Sequence, residues 1–273
     1  MPTFATPEPI SVRVEAAHGS TRIVAGDRAD TVVTVRPGDE SRGADVWAAE
    51  HIRVDFHDGR LSVSGVKRGM PYFRGGAVAI EIALPSQSRL YVSLASASLR
   101  TEGELGDVRV SSSSGEIEVD SVTGKLKAAN ASGSISVRSA TGGGSVSTAS
   151  GDVTITELDG GLKFKAASGG ITVTRLRGHL KARTASGAVA VEAAVCGGIS
   201  AHTSSGEVTL GVAEGTAVRL DIVTGSGAVT NTLQPSDGPE QGDETFVLQV
   251  RSGSGDVNIG RANPAHEPVG PAT

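Results

Sequence analysis

The clearest regularity along the chain is an alternation of apolar and polar positions that restarts after a Ser-Gly pair and recurs through the second half. It reads SSSGEIEV, NASGSISV, TASGDVTI, AASGGITV, TASGAVAV, TSSGEVTL, TGSGAVTN and SGSGDVNI, with the glycines at Gly115, Gly133, Gly151, Gly169, Gly187, Gly206, Gly227 and Gly255. Successive glycines stand 18, 18, 18, 18, 19, 21 and 28 residues apart, so one unit repeats strictly and then loosens. Ala97, in LASASLRT, falls 18 residues before Gly115 and reads as a degenerate earlier copy.

Two positions after each glycine comes an apolar column: Ile117, Ile135, Val153, Ile171, Val189, Val208, Val229 and Val257. Four positions after it comes another, Val119, Val137, Ile155, Val173, Val191, Leu210 and Ile259, broken only by Asn231. Period-two alternation marks a strand with one buried face, so both columns are expected to stack inward. A second glycine column, Gly124, Gly142, Gly160 and Gly178, marks the opposite turn and precedes a second strand. That strand turns Leu126, Leu162 and Leu180 inward, followed by Ala128, Val146, Phe164 and Ala182. β-Branched residues alternating with Ser and Thr, and interrupted by glycine, cannot sustain a helix. The pattern therefore predicts an all-β chain, a single-stranded parallel β-solenoid (β-helix) with about 18 residues and two strands per coil. An antiparallel sandwich would not require identical columns at a fixed period.

Residues 8–95 alternate without the strict period, in ISVRVEA, TRIVAG, DTVVTVRP, IRVDFHD, RLSVSGV, VAIEIAL and LYVSLA, and they hold Trp47, Tyr72, Phe73 and Tyr91. They are expected to form a β-rich N-terminal cap or irregular first coils, with one short helix in SRGADVWAAEH. Residues 96–260 are then the regular repeats. A loop at 234–244 accounts for the 28-residue step, and 261–273, with Pro264, Pro268 and Pro271, reads as a disordered tail.

These motifs carry a family likeness. The chain resembles the bacterial putative-adhesin family of unknown function, the DUF4097-like β-solenoids, whose members carry serial SG-x-[VI]-x-[VI] repeats. The likeness runs from about residue 8 to 260: the opening PISVRVEAAHGSTRIVAGDRADTVVTVRP, the connecting AVAIEIALPSQSRLYVSLASASLRTEGELGDVRVSSSSGEIEV, and the repeats that follow. It implies the parallel solenoid and no particular activity.

Composition adds constraints. With 37 glycines and 3% aromatic residues, the core must be Val, Ile, Leu and Ala against tightly turning backbone. A net charge of −5 gives no global pull toward nucleic acid or anionic membrane, so such binding would need a local basic patch. The lone Cys196 cannot form an internal disulfide and reads as a small buried hydrophobe. The opening stretch lacks the basic and apolar regions of a secretory signal, and no apolar run reaches membrane-spanning length. A cytoplasmic location is expected, with peripheral envelope association through a partner as its variant.

Catalytic chemistry finds little support. The six histidines lack H-x-x-x-H or H-E-x-x-H spacing, and the Gly-rich stretches lack the Lys-Ser/Thr of a phosphate loop, so no metal, cofactor or catalytic residue is expected. Glu116, Glu118 and Asp120 alternate on one strand face, which is the most a carbohydrate-active β-helix enzyme, lyase or hydrolase, could use; a solvated face is the expected reading. The surface worth testing lies on the second strands. Lys127, Lys163 and Lys181 stand twelve residues after their glycines, with Lys165, Arg183 and His202 two residues later. Stacked coils would gather Lys127, Lys163, Lys165, Lys181 and Arg183 into a basic stripe. The expected function is a non-catalytic binding or scaffold protein whose stripe meets a protein or anionic surface; an envelope-associated signalling component is the variant. Interleaved aromatic platforms are missing, so sequence-specific nucleic acid is not an expected partner. The chain is expected to be a monomer or small homo-oligomer.

Overall fold

The Ser-Gly periods fold as parallel strands stacked in the register that their spacing dictates. The structure, a computed structural model, describes residues 2–65, 75–234, 238 and 244–263. Tyr72, Phe73, most of the 234–244 loop and the tail beyond residue 263 lie outside the described residues. The chain forms two compact units, Met1–Asp152 and Val153–Thr273.

The first unit opens with β1 (Thr3–Ala5), β2 (Ser11–Ala16), β3 (Gly19–Gly26) and β4 (Asp30–Pro37), then the helix α1 (Gly43–Glu50) expected from SRGADVWAAEH. After it come β5 (Arg53–His57), β6 (Arg60–Ser64), β7 (Val78–Pro85), β8 (Arg89–Leu94), β9 (Ser98–Glu102) and β10 (Glu104–Leu105). The repeats follow as β11 (Val108–Ser114), β12 (Ile117–Val122), β13 (Leu126–Ser132), β14 (Ile135–Ala140) and β15 (Gly144–Thr148). Two parallel ladders result. One runs β6–β2–β8–β11–β13–β15 and the other β7–β3–β9–β12–β14. Ile117 stands opposite both Ile135 and Leu99, so the degenerate copy at Ala97 keeps the register. The inward columns are dry: Ile117, Ile135, Leu126 and Val146 are at most 1% exposed. Antiparallel strands finish this unit, β4 pairing with β1 and β7 and β5 with β6. The buried carboxylate of Asp45 pins α1 to its surroundings by accepting the backbone N–H groups of Asp39 and Ala77 at 3.1 and 3.0 Å.

The second unit contains β16 (Val153–Ala166), β17 (Ile171–Thr184), β18 (Val189–Thr203), β19 (Val208–Val212), β20 (Thr216–Thr224), β21 (Val229–Asn231), β22 (Glu244–Ser252) and β23 (Val257–Arg261). The second glycine column does not interrupt β16, β17 and β18. Gly160, Gly178 and Gly197, at φ 135°, 129° and 101°, bend each strand in a conformation that favours glycine while the ladder continues through them. Volumes are matched across the ladder, Phe164 lying buried beside the small Ala182.

The order of coils departs from the order of the sequence. β22 pairs with β18 on one side and β20 on the other, while β23 lies between β19 and β21. The last coil is therefore inserted between its two predecessors, and Val257 follows Val208 directly. The inward column fails at one member: Val229 is 48% exposed, because β21 ends its ladder among the described residues. The same position explains why Asn231 could break the neighbouring column. An analogous inversion occurs in the first unit, where β2 lies between β6 and β8. No helix among the described residues is long and apolar enough to cross a membrane.

Candidate binding face

The outward positions beyond the bend in β16 and β17 build the basic face. Lys163 stands opposite Lys181, and Lys165 opposite Arg183. The second row continues from Arg183 through His202 to Arg251, and the first from Lys181 through Ser200 to Gln249. Neighbouring strands lie about 4.8 Å apart, so each row sets like charges close together on an exposed surface. Among the described residues, no carboxylate lies within ion-pairing distance of Lys163, Lys165, Lys181 or Arg183. Before the bend the same two strands do the opposite, with Glu157 facing Arg175 and Asp159 facing Arg177.

Lys127 belongs to the first unit, where its row partners are Arg109 and Ser145. Arg109 lies over the ring of Tyr91, 5.9 Å from its centroid. The structure thus brings Lys163, Lys165, Lys181 and Arg183 together in one unit and gives Lys127 a separate basic row. The sequence did not single out Arg109, although it falls 18 residues before Lys127.

Next to Lys163 and Lys181 the surface dips. A recess of about 470 Å³ is lined by Gly161, Lys163, His179, Lys181, Gly198 and Gln249 among others. Its floor exists because Gly161 and Gly198, in one row with His179, present no side chain. A ligand held there would meet two ammonium groups, an imidazole and a carboxamide, a donor-rich set suited to carboxylate, sulfate or phosphate oxygens. The larger hollow of about 1130 Å³ on the first-strand side carries charges of both signs, among them Glu157, Arg175, Glu192 and Arg261.

The acidic triplet has a structural use. Arg100 bridges Glu118 at 3.1 Å and Glu102 at 3.5 Å, Arg22 bridges Glu102 at 2.9 Å and Glu81 at 3.7 Å, and Arg138 pairs with Asp120. Among the described residues, the side chain of Glu116 accepts only a long bond from Ser134, at 3.4 Å. The Arg138 hydrogen bond holds the Asp120 carboxyl below the usual carboxylate range, against partial burial, helped by the N–H of Gly103. Arg22 does the same for Glu102. These groups form an ion-pair ladder across the coils and are not convergent on a common point. Among the described residues no cluster of His, Cys, Asp and Glu is placed to hold a metal ion. Cys196, expected to be buried, is half-exposed and free, in register with Arg177.

Comparison with known proteins gives a family and distant structural likenesses. The family model described as Toastrack DUF4097 matches residues 10–263. A putative adhesin from Bacteroides fragilis shares 12% identity, with 94% of this chain and 95% of that one covered and a TM-score of 0.41. A putative cell adhesion protein from Clostridium sporogenes shares 13%, over 94% and 97%, with a TM-score of 0.24. A putative adhesin from Parabacteroides distasonis shares 10%, over 95% of each chain, with a TM-score of 0.28. No curated protein matches the chain significantly. At these identities and scores the family match alone carries the classification.

Proposed function

We propose that this chain, which belongs to the Toastrack DUF4097 family over residues 10–263, is a non-catalytic binding or scaffold protein. In this reading it is a parallel β-solenoid with 18-residue coils of two strands each, and it holds an acidic partner surface on the basic face of its second unit. The observation that supports this is the placing of Lys163 opposite Lys181 and Lys165 opposite Arg183 without acidic neighbours. Like charges directly opposed across strands destabilise a sheet, whereas opposed unlike charges stabilise it. Keeping a face soluble needs only charge, and mixed signs serve that purpose at lower cost. The same strands use mixed signs at Glu157/Arg175 and Asp159/Arg177, so the like-charged rows cost stability that an external anion would recover.

The test is binding to polyglutamate, monitored by fluorescence anisotropy over a salt series. The wild type is expected to bind with an affinity that falls as salt rises, because several contacts are charge on charge. The Lys163→Glu/Lys181→Glu variant should lose this binding while keeping its thermal midpoint, because it exchanges one like-charged pair for another at the same register positions. Equal affinity of wild type and variant at low salt would refute the assignment.

A further inference from the structure

The second unit ends, among its described residues, on a strand whose free edge is complementary to itself. β20 pairs in parallel with β22 along one edge only, and no described strand pairs with the other. Its inward residues Val218, Leu220 and Ile222 are half-exposed, whereas their register partners Phe246, Leu248 and Val250 are at most 1% exposed. Val223 beside them is 54% exposed. Apart from the carbonyl of Thr216, which accepts a 3.4 Å bond from Arg261, the backbone of this edge is unpaired among the described residues, and a long, partly apolar edge of that kind is a template for another strand.

The sequence of β20 is T-A-V-R-L-D-I-V-T, which in polarity reads nearly the same in both directions about Leu220. Placed against a second β20 in antiparallel register with a two-fold axis at Leu220, Thr216 meets Thr224, Ala217 meets Val223, Val218 meets Ile222 and Arg219 meets Asp221. Apolar therefore faces apolar and cation faces anion, each twice. The backbone agrees with this register. The carbonyl of Gly215 and the N–H of Gly225 bond to β22, through the N–H of Glu244 and the carbonyl of Ser252. Parallel pairing alternates the bonding side along a strand, so the odd residues of β20 serve β22 and the even ones point to the free edge. Leu220 on the axis, with Val218 and Ile222, is then in the hydrogen-bonded positions. Arg219 and Asp221 fall in the non-hydrogen-bonded positions, where side chains of an antiparallel pair approach most closely.

We propose that two copies of this chain associate through β20, forming an antiparallel, two-fold symmetric strand pair centred on Leu220. The β16–β17–β18–β22–β20 ladder continues into the second copy, with the basic faces of both copies on the same side of the joined sheet. Asp221 keeps its bidentate pair with Arg251, at 3.0 and 2.9 Å, and gains Arg219 of the second copy on its open flank. Such an isologous contact closes on itself and yields a dimer rather than a fibre.

Analytical ultracentrifugation of the full chain, with charge-reversal variants, tests this. The wild type is expected to show a reversible monomer–dimer equilibrium. Arg219→Asp faces two like-charged pairs across the axis and should weaken dimerisation by on the order of tenfold or more. Asp221→Arg should do the same. Mixed together, the two variants restore unlike pairs at both positions, and native mass spectrometry should find a dimer with one copy of each. Circular dichroism melts of each variant check that the fold is kept. In the wild type, the amides of Val218, Leu220 and Ile222 should become protected from exchange as concentration rises. A wild type that stays monomeric, an Arg219→Asp variant that dimerises as well as wild type, or a mixture with no heterodimer would overturn the proposal. So would amide protection independent of concentration.

Discussion

At a single Ser-Gly corner, two residues do distinct jobs. The glycine answers a problem of crowding: a Cβ at Gly206 would fall on the carbonyl oxygen of Gly187, and one at Gly187 on that of Gly169. Three residues earlier a hydroxyl closes the turn by accepting the glycine N–H. Thr148 does so for Gly151 at 2.8 Å, Thr184 for Gly187 at 2.9 Å, Thr203 for Gly206 at 2.7 Å, Thr224 for Gly227 at 3.0 Å and Ser252 for Gly255 at 2.8 Å. Five of the eight corners thus read [TS]-x-S-G with the hydroxyl in use, while Asn130 and Ala166 stand at this position in two others. Replacing Thr203 by Val leaves the buried Gly206 N–H without its acceptor, which costs about 1–3 kcal/mol. Thr203→Ser should keep most of the stability. Urea unfolding curves of the two variants measure the difference, and equal midpoints would show the hydroxyl to be dispensable.

Strand against strand, the first unit and the second treat charge differently. In the first unit, Glu81, Arg22, Arg100 and Glu118 share one row with Arg22 opposite Arg100, but each of these arginines bridges two carboxylates, with Glu102 shared between them, and Asp120 pairs with Arg138. Hydrogen bonds from Arg22 and Arg138 lower the folded pKa of Glu102 and Asp120, so the unfolded chain takes up these protons first. The stabilisation is therefore complete above the ordinary carboxylate range, about pH 4, and is lost as pH falls through the lowered folded values. A Glu102→Gln/Asp120→Asn variant should be less stable than wild type at pH 7, with a thermal midpoint that changes less on acidification from pH 6 to 3. Parallel slopes for the two proteins would mean that other groups govern the acid response. In the second unit the rows Lys163/Lys181 and Lys165/Arg183 have no such counterweight, and that contrast is the ground for reading them as a binding face.

In each unit, one strand is held between two others out of sequence order. β2 is flanked by β6 and β8, and β22 by β18 and β20. The arrangement gives β2 and β22 a strand partner along each edge. It also makes β20 and β21 depend on residues that follow them. A chain ending at residue 243 should not simply be one coil shorter: β20 and β21 lose their partners β22 and β23. Hydrogen exchange is expected to show no protection over residues 216–231 and native protection in β17. Retained protection over 216–231 would mean that β20 can stack on β18 directly.

The 18-residue period was enough to define the inward columns and the alignment of Lys163 with Lys181, because in parallel stacking a sequence repeat becomes a spatial register, but not the strand boundaries, since β16, β17 and β18 run on through the second glycine column. It could not give the order of coils. Coils with the same columns fit one another equally well, and the choice falls to connections: the long step before Gly255 leaves enough chain for the last coil to turn back and enter between its predecessors. Nor could it give the ion-pair ladder, since Arg22 and Glu102 are 80 residues apart and meet only when β3 lies against β9. The exposed edge of β20 belongs to the same class. Its palindromic character is written in the chain, but a strand's edge is free or filled only according to where its neighbours lie.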